Sequence, residues 1–119
     1  MEISKSKSTS YVLMKINLIK KLFLILIIKI VCNSALAEDK MVLGLEVYNN
    51  KAQCGACHIL QAAGSDGQIG PNLDQLKPQL EQIIYTVTNG VGVMQAFEGI
   101  LTTEEIKAVA YYVFSSTNK

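Results

Sequence analysis

The chain has 119 residues, half of them hydrophobic, with eleven basic and ten acidic side chains and a formal charge of +1. This length is enough for one small domain, which excludes a multi-domain enzyme, and the apolar share excludes a disordered chain. The near-neutral balance supplies no basic surface of the kind that binds nucleic-acid backbones.

The N-terminal third reads as processing information. Lys15, Lys20 and Lys21 precede an apolar run at residues 22–28, and the small residues Ala35 and Ala37 follow. That order is a basic region, an apolar region and an Ala-x-Ala pattern, so residues 1–37 are expected to be a signal peptide cleaved after Ala37. Residues 2–10 are polar and rich in Ser and Lys, which makes Met14 an alternative start. A retained membrane anchor is disfavoured because Lys20, Lys21 and Lys29 interrupt residues 16–31, short of the roughly 20 apolar residues a span needs. Cys32 is a poor lipidation site, since the branched Val31 stands where a lipobox resembling the known ones has a small residue.

Residues 38–119 are expected to form the mature domain, with five Lys, nine Asp or Glu, no Arg and one His, a net charge of −4. A chain of this size buries only roughly 60–65% of its unfolded surface, so a metal or cofactor often completes the core.

The first helix of that domain is expected over residues 41–53, with Leu43, Val47 and Tyr48 along one side. It leads into Cys54-Gly55-Ala56-Cys57-His58, the spacing of c-type haem attachment. Two thiols separated by two residues can form thioethers to the two vinyl groups of one porphyrin, and the adjacent imidazole can reach the iron. A thioredoxin-like redox pair would sit in a larger α/β domain, yet strand patterns are nearly absent here. Structural zinc requires about four ligands, and a fourth donor beside Cys54, Cys57 and His58 is missing. A Cys54–Cys57 disulfide would close too short a loop to stabilise much.

Residues 63–72, ending in Gly70-Pro71-Asn72, read as a loop. A carbonyl from this loop, with Pro71 as the candidate, can accept the hydrogen from the His58 ring nitrogen that faces away from iron. Leu73 and Leu76 are expected near the ring edge. A second helix is expected over residues 78–88, with Pro78 in its first turn, an apolar stripe of Leu80, Ile83, Ile84 and Val87, and Asn89-Gly90 as its stop.

With one histidine in the mature chain, bis-histidine ligation within it is excluded. Met41, Met94, a lysine or an open site remain for the sixth position, and Met94 is preferred because it lies in the Gly-rich stretch at residues 89–94. Val91, Val93 and Phe97 are expected to shield its sulfur. A third helix starts at Thr102-Thr103-Glu104-Glu105, a capping box, and continues with Ile106, Val109, Ala110 and Val113 on one face. The first helix is its natural partner, Gly44 and Tyr48 allowing close approach by Tyr112.

At these residues the chain resembles the small monohaem class I c-type cytochromes over about residues 43–114. The resemblance implies an all-α fold, three main helices and loops wrapped around one covalent haem c. It implies attachment through Cys54 and Cys57, axial ligation by His58 and Met94, the Pro71 carbonyl as partner of His58, and Gly44, Tyr48 and Tyr112 as the helix-crossing set. One departure stands out: members of the bacterial short type often carry Pro after the distal methionine, where this chain has Gln95.

The expected function is one-electron transfer between exported, periplasmic redox proteins, not enzyme catalysis. The alternative is a gas-binding or sensing module with a labile distal methionine; a haem peroxidase lacks an evident acid–base pair. Expected partners are larger redox proteins such as a dehydrogenase, respiratory complex or terminal oxidase. Nucleic acid is excluded, membrane contact would come only through a partner or an uncleaved signal, and the chain is expected to be a monomer or weak dimer.

Overall fold

The computed structural model describes the backbone of residues 3–119 and the side chains of residues 11–28 and 36–119. Two compact units divide the chain, Met1–Leu36 and Ala37–Lys119. In the first, the described side chains are helical and exposed, and among the described residues no helix is long and apolar enough to cross a membrane. Ala35 and Cys32, on which the cleavage and lipidation readings turn, lie outside the described side chains.

Helix α1 is Ile3–Glu46, so the helix expected from residue 41 starts earlier; residues 38–40 carry neither Gly nor Pro to break it. It also ends earlier. At Val47–Lys51 the coil widens into a π-turn, closed by Ala52 N–H donating to Val47 O at 2.8 Å. Such one-turn widenings concentrate at functional sites, and this one delivers the chain to the cysteine motif.

After the motif, β1 (Ile59–Leu60) pairs antiparallel with β2 (Ser65–Asp66) around a 3₁₀ turn, Gln61–Ala63. Residues 63–72 are otherwise loop. A short helix that the apolar pattern does not signal, α2 (Leu73–Leu76), follows, capped by the Asn72 side chain accepting from Gln75 N–H at 3.2 Å. Helix α3 is Leu80–Asn89, with Gln79 as its cap. Pro78 therefore stands just before the cap rather than in the first turn, where its carbonyl accepts from Asn118 Nδ2 at 3.3 Å. Helix α4 is Thr103–Thr117 and starts with both halves of the capping box between Thr102 and Glu105. Lys51 pairs with the same Glu105 carboxylate, joining the π-turn to the start of α4.

The core lies where α4 meets α3 and the C-terminal turns of α1, with Tyr48, Leu60, Val109 and Ala110 at or near zero exposure. Gly44 makes the crossing possible. A Cβ built there would overlap Ala108 O and stand 2.5 Å from Tyr112 Cβ, both too firmly held to rotate away. The freed space lets the Tyr48 and Tyr112 rings meet at 6.0 Å, tilted by 58°. Gly44→Val is expected to destabilise the protein by about 1–3 kcal/mol through overpacking, read as a lower denaturant midpoint.

Candidate haem-binding site

The site is built on the turn that follows α1. Gln53 takes the left-handed region at φ 51° and reverses the chain, and Cys54–Ala56 then wind as one 3₁₀ turn. Cys57 N–H and His58 N–H both donate to Cys54 O, at 3.1 and 3.0 Å. The two thiols are free, half-buried, and border the same cleft of about 630 Å³. This lies within the range of cofactor pockets.

His58 borders the cleft too. Its Nδ1 lies 2.8 Å from Pro71 O, so Nδ1–H donates to that carbonyl and Nε2 keeps its lone pair. Gly70 lies flat on the imidazole: a Cβ there would fall 2.7 Å from Nδ1 and 3.0 Å from Nε2. Its N–H also donates to Cys57 O at 2.8 Å. Any side chain at residue 70 would push the ring off this axis.

On the other stretch of wall stands Met94, half-buried, in a loop closed by reciprocal backbone bonds between Val91 and Met94 at 3.0 and 2.9 Å. Gly92 at φ 56° is the first central residue of that turn, in the manner of type II′. Met41 packs on the hydrophobic core and is not part of the cleft wall.

The described side chains lining the cleft include no Lys, Arg, Asp or Glu, and most are aliphatic. Among the described residues no three His, Cys, Asp or Glu side chains converge as direct metal ligation would need. Two reduced thiols, an imidazole with one nitrogen held and the other free, and a thioether on one uncharged cleft are a donor set that fits covalently bound haem c.

Comparison with known proteins agrees. The family model described as cytochrome C oxidase, cbb3-type, subunit III matches residues 40–113. Cytochrome c6 of Leptolyngbya boryana is 36% identical over 80 residues, covering 64% of this chain and 92% of that protein. Chloroplastic cytochrome c6 of Chlamydomonas reinhardtii is 41% identical over 91 residues, covering 68% of this chain but only 57% of its own length. The crystal structure of the c-type cytochrome SorU from Sinorhizobium meliloti superposes with a TM-score of 0.65 at 50% identity, covering 69% of this chain and 95% of that one. This chain belongs to the class I c-type cytochromes. It is an electron carrier, not an enzyme.

Several groups that hold the cytochrome's site together carry no local sequence signal. Tyr48 OH donates to Ser65 Oγ at 3.1 Å, Ser65 Oγ donates to His58 O at 3.0 Å, and Leu60 N–H donates to Ser65 Oγ at 3.1 Å. This part-buried hydroxyl pair thus fixes the backbone of His58 to the π-turn and to β2. Burial pushes the Tyr48 hydroxyl up to about 12, with the Ser65 bond opposing. Burial likewise pushes the Cys54 thiol up to about 11, so it is protonated at neutral pH. Gly67 packs on the backbone of the motif: a Cβ there would lie 2.6 Å from Gly55 O and from the carbonyl carbons of Ala56 and Cys57.

Of the residues expected to shield Met94, Phe97 is 7% exposed, while Val91 and Val93, 64% and 91% exposed, border the same cleft. The tight turn explains the difference, because it directs Gly92 and Val93 outward at its tip and leaves both valines on the rim. Leu73 and Leu76 border the cleft, Leu76 at its exposed edge.

Proposed function

We propose that residues 38–119 form a periplasmic carrier that moves one electron at a time between larger redox proteins, through a single haem c. Cys54 and Cys57 would hold it by thioethers, with His58 and Met94 as axial ligands. The observation that carries this reading is one uncharged cleft bordered by both thiols, the imidazole and the Met94 thioether. Haem held in this way supplies a one-electron ferric/ferrous couple.

The protein's own groups tune that couple. Pro71 O keeps the His58 ring in one tautomer and orientation, with the Nε2 lone pair free. Met94 offers a neutral, polarizable sulfur, which favours the ferrous state more than a second nitrogen does. Phe97 and the aliphatic wall exclude water, so an added positive charge is costly there. A gas-binding role would need an open position on the iron, and no observation favours it.

Export rests on the signal pattern at residues 1–37, with cleavage after Ala37. The oxidase subunit named by the matched family supports a respiratory complex as partner. The mature charge of −4 calls for a basic docking patch on that partner. To test the reading, the mature chain is purified and denatured. Haem that stays with the polypeptide, together with a low-spin spectrum, a sulfur-to-iron charge-transfer band and fast electron exchange, supports it. Haem that extracts freely overturns it.

A further inference from the structure

We infer that Gly90 is a positioning residue that sets where the Met94 sulfur stands. The inference rests on Met94 as the distal ligand and deepens that reading.

Gly90 ends α3 at φ 72° and ψ 171°, a backbone region essentially reserved for glycine. Its N–H donates to Thr86 O at 2.8 Å, so its own place is fixed by the helix. A Cβ at this residue would lie 2.6 Å from Met94 O, 2.7 Å from Ala96 N and 2.8 Å from Gln95 C. All three are backbone atoms, and no rotamer change relieves such an overlap.

The loop has little slack to absorb it. Val91 and Met94 bond each other's backbone, and just beyond Met94 the chain is tied back to α3 by Phe97 N–H to Val87 O at 2.9 Å and Glu98 N–H to Thr88 O at 3.3 Å. Residues 91–96 therefore form a closed loop with both ends on α3, and its inner side rests on the bare Cα of Gly90. Gln95 brings no ring-fixed φ to this loop, so the brace comes from that contact. Pushing on residues 94–96 moves the Met94 backbone, and the sulfur moves with it.

Gly92 provides the internal control. It lies in the same loop at φ 56°, so a side chain there is strained as well, but no heavy atom stands within 4 Å of its built Cβ. Backbone strain is common to both sites, and contact with the Met94 segment belongs to Gly90 alone.

The test compares haem-loaded Gly90→Ala, Gly92→Ala and Met94→Ala with the parent. The readouts are denaturant stability, the sulfur-to-ferric-iron band and the equilibrium affinity for added imidazole, which competes for the distal position. Both glycine variants are expected to lose stability. Only Gly90→Ala is expected to lose most of the band and to bind imidazole about tenfold tighter, equivalent to about 1.4 kcal/mol. Should Gly90→Ala give little holoprotein, the band and the imidazole affinity are read per haem on the fraction that matures, and they must show the same change.

A band present in the parent, abolished in Met94→Ala and unchanged in Gly90→Ala overturns this inference alone. Equal imidazole affinities in the two glycine variants also overturn it. A band that survives Met94→Ala overturns the ligand reading, and this inference with it.

Discussion

Met94→Ala is expected to remove the sulfur-to-iron band, leave the sixth position to water or an added ligand, and lower the reduction potential by more than about 59 mV. That figure is the one-electron equivalent of a tenfold change in equilibrium. The direction follows from the ligand exchange: a polarizable neutral thioether gives way to water, which favours the ferrous state less. The size of the effect follows from the cleft. Its described lining offers no second imidazole, amine or thioether that could replace the lost sulfur, and Met41 is held in the core. Phe97 and the aliphatic wall remain, so the change isolates the ligand from its surroundings. Spectroelectrochemical titration of the variant beside the parent measures it, and an unchanged low-spin methionine spectrum would sink the assignment.

A larger effect is expected when both thiols are removed. Cys54→Ser combined with Cys57→Ser should yield a chain that releases any bound haem on denaturation and lacks the parent's cooperative unfolding transition. The cleft measures about 630 Å³. Kept as a dry void it would cost on the order of 15 kcal/mol, at about 24 cal/mol per Å³. This is an upper bound because one side opens to solvent. That ceiling equals the top of the range for the whole stability of a typical domain, about 5–15 kcal/mol, so even a fraction of it is a large share. Ile83, Val87, Val109 and Val113 border the cleft and also belong to the core, so the chain cannot vacate one without loosening the other. Far-ultraviolet circular dichroism through a denaturant titration checks this. A double variant that unfolds as sharply as the parent would contradict it.

The parts of the site legible in the sequence are those whose chemistry is local. Cys54, Cys57 and His58 adjoin one another, so their spacing alone suggests the cofactor. The capping box of α4 is a four-residue pattern and forms as read. The apolar stripe of α3 also marks its buried face, with Ile83 and Val87 inside. The crossing of Gly44 by Tyr112 was legible through family resemblance, since it joins residues far apart in the chain.

Other features could not be read this way. Ser65 has no periodicity to mark it, and its role comes from β2 lying beside β1 so that one hydroxyl serves Tyr48, Leu60 and His58 at once. Gly67 and Gly70 read locally as loop glycines, yet a Cβ at either would strike the motif backbone or the imidazole. Val91 and Val93 carry the right apolar chemistry for a shield, but only the two-residue turn closed between Val91 and Met94 shows that they stand at the rim of the cleft.

The amino-acid order by itself determined which atoms can bond to a porphyrin and its iron, because covalent attachment depends on residue type and short spacing. Tertiary structure turned two sequence candidates into geometry, Pro71 O against Nδ1 of His58 and Met94 rather than Met41 on the cleft wall, and it alone brought Gly90 against the backbone of residues 94–96. Those outcomes depend on the close packing of segments distant in the chain, where a single added methyl group would meet backbone atoms.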